Sequence, residues 1–84
     1  MKVIILPRAL EYLSRLNKAV SQRITDKLTR LSENIETIPL LPLKGPLAGF
    51  YKVRVSDWRV IYDVNHDKQI ITVHKIGHRR EIYE

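Results

Sequence analysis

The spacing of apolar positions along this chain changes from helical to strand-like near its middle. At the amino terminus, Lys2-Val3-Ile4-Ile5-Leu6 is a short β-rich run that stops at a proline and predicts a first strand. Pro7 suits the first turn of a helix, where its missing N–H leaves nothing unpaired. Leu10, Leu13 and Leu16 then form a stripe with Tyr12 beside it, predicting a helix over about residues 7–16. Asn17 either closes that helix or caps the next. In the second helix Val20, Ile24, Leu28, Leu31 and Ile35 recur at spacings of four, four, three and four. Gln22, Arg23, Asp26, Lys27, Arg30 and Glu33 occupy the rest of its circumference. So short a link between two amphipathic helices predicts an antiparallel helical hairpin.

Residues 38–47 hold Pro39, Pro42, Gly45 and Pro46, so they neither continue a helix nor form a central strand. Beyond them the period becomes two. Tyr51, Val53 and Val55 point one way, and Phe50, Lys52 and Arg54 the other. After a turn at Ser56-Asp57, Trp58, Val60, Tyr62 and Val64 form one row, and Arg59, Ile61 and Asp63 the opposite row. Pairing the two strands as a hairpin puts the apolar rows against a core and gathers Lys52, Arg54 and Arg59 outside. Like charges side by side on a sheet are destabilising, so the cluster points to an anionic ligand. A turn at Asn65-His66-Asp67-Lys68 leads into a last strand over residues 69–76, which Gly77 is expected to break. The remainder reads as a charged tail. The sum is an α+β domain: an N-terminal strand, a helical hairpin and a three-stranded antiparallel meander. Its expected core includes Val20, Ile24, Leu28, Leu31, Val53, Val60 and Tyr62.

Composition narrows this further. The 84 residues make one domain, residues 1–84, without repeats or a low-complexity segment. A chain of that size buries roughly 60% of its unfolded surface. With no cysteine there is no disulfide, thiolate nucleophile or thiolate metal site, which fits a reducing cytoplasm. The apolar run at residues 3–6 is far too short for a membrane span of about 20 residues. Fifteen Lys and Arg against nine acids give a net charge of +6, which favours a polyanionic partner. His74, His78 and Glu81 cross a strand end rather than sharing one helical face, so no metal or other cofactor is expected. His66 is expected to face solvent, and Phe50 and Trp58 to pack or pin a hairpin edge rather than read bases.

Several segments together carry a family resemblance: Leu43-Lys44-Gly45, then Gly49-Phe50-Tyr51-Lys52-Val53-Arg54, then Trp58-Arg59-Val60-Ile61-Tyr62. The ending Ile76-Gly77-His78-Arg79-Arg80-Glu81-Ile82-Tyr83 completes the set. In order, spacing and length the chain resembles the RelE/ParE superfamily of toxins from toxin–antitoxin pairs, over nearly its whole length. The RelE branch cuts messenger RNA in the ribosomal decoding site, whereas ParE-type members poison DNA gyrase without nuclease activity. For the RelE branch the resemblance implies a catalytic set: Lys52 and Arg54 in the first meander strand, Arg59 in the next, Arg79 after the last, and Tyr83 near the end. Lys44, His78 and Arg80 are expected to contact RNA. The implied partners are a cognate antitoxin protein and message held on the ribosome, with its 16S RNA nearby. Two departures stand out: Arg54 replaces a frequent lysine, and the stretch from Gly77 to Tyr83 is short.

The chemistry of RNA cleavage suits this set. The 2′-hydroxyl must lose a proton, the leaving 5′-oxygen must gain one, and the phosphorane needs its extra charge stabilised. Arginine suits the last task, because its planar fork engages two phosphate oxygens and stays charged. Lys52 is a candidate base or a further electrostatic contact, and Tyr83 could stack on a base or orient the 2′-hydroxyl. Imidazoles exchange protons near neutral pH, which makes His78 an alternative acid or base. Taken singly, each cation is ordinary solvated surface. As five matched positions they favour an endoribonuclease over a gyrase-poisoning toxin. A plain nucleic-acid-binding domain is disfavoured because both helices are committed to the core.

Overall fold

β1 (Lys2–Ile5) passes into α1 (Pro7–Arg15) through Leu6 alone, and Pro7 starts the helix as expected. The computed structural model describes residues 1–82. α2 (Lys18–Glu33) follows after Leu16 and Asn17. Asn17 caps this second helix: its side-chain oxygen accepts the Val20 N–H at 3.0 Å, satisfying one of the orphan donors of the first turn. The proline-rich connection then contributes a two-residue edge strand, β2 (Leu41–Pro42), and a 3₁₀ turn at Gly45–Leu47. An edge is where a residue without an N–H is tolerated. Gly49, at φ 95°, makes the reversal into β3 in a conformation that a side chain would resist.

β3 (Tyr51–Val55), β4 (Trp58–Asn65) and β5 (Ile70–His78) form the expected meander. Among the described residues the sheet has the order β1-β5-β4-β3-β2; β1 runs parallel to β5 and the other pairs are antiparallel. Val55 and Trp58 close the hairpin over Ser56 and Asp57, and Ser56 takes the uncommon φ of 55°. α1 packs on β5, and α2 on β1 and β3. The alternation of β3 and β4 therefore sends one row of side chains toward the helices, and that row is the core. Ile24, Leu28 and Leu31 of α2 are buried with Val60, Tyr62, Ile71 and Val73 of the sheet, while Val20 and Val53 pack at its margin.

Two local expectations are corrected. Leu10 does not join the stripe of α1 and is 53% exposed; Ala9 and Leu13, four apart, are buried instead. A methyl group at position 9 lets α1 lie close to β5. Nor does Gly77 end the last strand: β5 runs through it to His78, with Gly77 opposite Arg59 and His78 opposite Trp58. The glycine is required by what lies above it. A Cβ there would stand 2.8 Å from Cδ1 of Ile82, which the chain after β5 folds back over the sheet.

Two measurements test this packing. Leu28→Ala should lower the free energy of unfolding by about 2–5 kcal/mol in a denaturant titration, the range for removing a buried leucine. Burial pushes the Tyr62 hydroxyl up to about 12, with the neighbouring Tyr51 adding to the effect. A tyrosine in the unfolded chain ionises near 10, so the unfolded state loses this proton first. Stability from Tyr62 should be complete below about pH 10 and fall as pH rises toward 12, read as a declining denaturation midpoint.

Candidate nucleic-acid interface

The outer face of the sheet, opposite the helices, carries the cations. In the β3–β4 register Arg54 lies directly across from Arg59, and Lys52 from Ile61. The next pairing puts Arg59 opposite Gly77 and Ile61 opposite Lys75. Side chains paired across antiparallel strands have Cβ atoms about 4.5–5.5 Å apart, so Arg54 and Arg59 crowd like charge onto one spot. Arg59 is half-buried, and its Nη1 donates to the carbonyl oxygens of Ser56 and Trp58, both at 2.9 Å. It thereby braces the hairpin turn it follows. Arg54 is exposed and has no hydrogen-bond or ion-pair partner among the described residues.

Arg79 reaches the same end of the sheet. Its backbone N–H donates to the Asp57 carbonyl at 2.8 Å, which ties the segment after β5 to the β3–β4 turn. Its guanidinium Nε stands 3.7 Å from the Asp57 carboxylate, a loose exposed contact worth little against a stronger anion. Beyond it residues 79–82 form a tight turn in which the Glu81 and Ile82 N–H groups donate to the His78 carbonyl. The Tyr12 hydroxyl donates to Glu81 at 3.0 Å, anchoring the turn to α1. Burial and the Glu81 carboxylate raise the Tyr12 pKa. The turn drops Ile82 onto Gly77 and buries it along with Ile61. A small apolar island thus sits within the charged outer face.

Beside the island lies a cleft of about 510 Å³ lined by residues that include Lys44, Leu47, Phe50, Ile61, His74, Lys75 and Ile82. His74 comes from a β-bulge. Ile61 pairs with Lys75 but the next residue, Tyr62, pairs with Val73, which leaves His74 as the extra residue. Its Nε2 lies 3.0 Å from the Asp63 carboxylate, and its ring meets that of Phe50 edge-on with centroids 4.9 Å apart.

A family model described as the ParE toxin of type II toxin–antitoxin systems, parDE, matches residues 3–83. The chain belongs to this toxin family. Within the wider RelE/ParE superfamily, solved structures share its fold. The RelE–RelB complex of the archaeon Pyrococcus horikoshii is 27% identical with a TM-score of 0.75, covering 95% of this chain and 96% of that one. The RelBE2 complex of Mycobacterium tuberculosis reaches a TM-score of 0.82 at 20% identity, covering 93% and 96%. The intact RelBE complex of E. coli is 25% identical with a TM-score of 0.72, covering 92% and 94%. Comparison with curated protein sequences finds no match.

In this toxin, the residues singled out from sequence do not all fall on one surface. Lys52, Arg54 and Arg59 share the outer face, Arg79 joins them at the turn, and Lys44 stands in the cleft. His78 is apart from them. It occupies the helix-side row, its ring edge-on to Trp58 at 5.6 Å, and its Nδ1 accepts the Arg80 N–H at 3.2 Å. Arg80 is exposed in the turn. Tyr83 lies outside the described residues. Sequence reasoning missed His74 and Lys75 as neighbours, because strict alternation sends consecutive residues to opposite faces and the bulge breaks it.

The island makes Gly77 a point of test. Gly77→Ala should displace Ile82 and destabilise the toxin by about 1–3 kcal/mol, as overpacking does. Amide exchange of residues 81 and 82 should accelerate more than that of α2. Unchanged stability with unchanged exchange would mean that Ile82 does not cover the sheet.

Proposed function

We propose that this toxin is a metal-independent endoribonuclease that cuts messenger RNA in the ribosomal A site. The observation that carries the reading is the register that sets Arg54 against Arg59 on an exposed face, with Arg79 at the adjoining turn. Nothing in the described chain neutralises that charge beyond the loose contact to Asp57. A phosphate would. In this reading the 2′-oxygen attacks phosphorus, the 5′-oxygen leaves with a proton, and Arg54, Arg59 and Arg79 stabilise the phosphorane between the two steps. Lys52 acts as base or as a fourth electrostatic contact, and Tyr83 stacks on or orients the reacting nucleotide. Lys44 and Arg80 extend the surface to neighbouring phosphates. His78, turned toward Trp58, is better placed to hold the turn that carries Arg79 and Arg80. The ribosome supplies orientation, holding the 2′-hydroxyl in line with the leaving oxygen.

The family model favours one alternative specifically, since the toxins it describes are of the ParE type. A gyrase poison would use the same fold as a protein-binding surface and would cut no RNA. For either activity we propose an antitoxin partner, supported by the relatives solved as toxin–antitoxin complexes. Acidic residues of that partner would cover the cationic face, and its association rate would fall with added salt.

Arg79→Ala separates the activities. Losing one donor of this kind typically lowers a rate by about 10²–10³. Cleavage of message on purified ribosomes should fall by that order while the circular dichroism spectrum and denaturation midpoint stay near wild type. A fully toxic Arg79→Ala protein would contradict the nuclease reading.

A further inference from the structure

The cleft beside the cation row has the features of a built subsite, and among the described residues it is lined by none of Lys52, Arg54, Arg59 and Arg79. Its floor is Ile61, which lies directly across β3–β4 from Lys52, so cleft and cation row share one continuous surface. Ile82 closes one wall and Phe50 and His74 supply aromatic rings. Lys44 and Lys75 stand at its rim as cations from two separate elements. About 510 Å³ falls within the range of pockets that hold small molecules.

The bulge is the device that makes this combination. Without the extra residue in β5, His74 and Lys75 would face opposite sides of the sheet. Bulges recur beside active sites because they re-aim a side chain. Here the result is an imidazole next to an ammonium group on one face. The imidazole is also held: Asp63 takes Nε2 at 3.0 Å and Phe50 packs against the ring. That leaves Nδ1 with no partner among the described residues. A ring fixed in orientation, with one nitrogen to spare and an apolar floor beneath, suits a flat heteroaromatic ligand. Cations on either side suit the phosphate attached to it.

We propose that this cleft binds one nucleotide of single-stranded RNA next to the scissile phosphate. The base packs against Phe50 and His74 over Ile61, and its phosphate lies between Lys44 and Lys75. The site rests on the RNA-directed reading above and adds to it a place where the base, not only the backbone, is felt. Phe50, which from sequence is expected only to pack, becomes part of the recognition surface. Base stacking on an aromatic side chain tolerates any base, and the spare imidazole nitrogen adds discrimination among them.

The test needs neither ribosome nor cleavage. The full-length toxin is titrated with a 2′-O-methyl trinucleotide, which resists cleavage, and with the same molecule lacking its central base, followed by amide chemical shifts. The base-containing probe should bind wild type about tenfold tighter than the abasic one, the size of effect expected for one stacked base. It should shift the amides of residues 50, 61, 74 and 75. Phe50→Leu, which keeps the apolar volume, and His74→Ala should erase the difference, while Lys75→Ala should weaken both probes alike. Equal affinity of wild type for the two probes would overturn the proposal. So would shifts at these residues with an acidic amphipathic peptide but with neither nucleotide, which would give the cleft to a protein partner. Base-dependent binding in a toxin that leaves message uncut on ribosomes would uphold the subsite and defeat the nuclease reading instead.

Discussion

The pairing of β3 with β4 is the constraint on which the rest of this toxin depends. One face of the pair is buried under two helices, so the register admits no slip: moving either strand by one residue would bury arginines and expose valines. The same register that seats Val53 opposite Val60 seats Arg54 opposite Arg59. Core and cation cluster are therefore two faces of a single choice. The free energy of packing Val60, Tyr62, Ile24 and Leu28 holds the arginines where they repel one another.

That repulsion is tolerated because the outer face is not a bare charged surface. Arg59 folds one nitrogen onto the carbonyls of its own turn, and the turn after β5 brings Ile82 down over Gly77. Burial of Ile61 and Ile82, which line one cleft, makes a second, smaller apolar patch on the side of the sheet away from the helices. It fixes the path of the chain just after Arg79, so the arginine's position follows from the burial of a neighbour three residues on. The Asp57 carbonyl and Tyr12 secure the two ends of that path.

Much of this could be read from the chain before any coordinates. The helices, the hairpin faces and the gathering of Lys52, Arg54 and Arg59 follow from periods of 3.6 and two, and the structure has them as expected. The failures share a cause: each depends on a contact between residues far apart in sequence. Gly77 resembles a strand breaker until Ile82 is seen above it. Leu10 looks better suited to a core than Ala9 until α1 is docked on β5. His74 and Lys75 share a face only because β4 and β5 fall out of step after Ile61, and a single strand's pattern carries no trace of that. Ile82 ends a charged segment and shows no periodicity to mark it as buried.

Whether the outer face acts on RNA or on a protein is decided most directly by a side-by-side reconstitution. Purified toxin would be given ribosomes programmed with a defined message and, separately, DNA gyrase with a supercoiled plasmid. Mapping message ends by primer extension should reveal new 5′ ends within the A-site codon only when ribosomes are present, with plasmid supercoiling by gyrase unaffected. Intact message together with gyrase-dependent plasmid breaks would contradict action on RNA and identify the cationic face as a protein-binding surface.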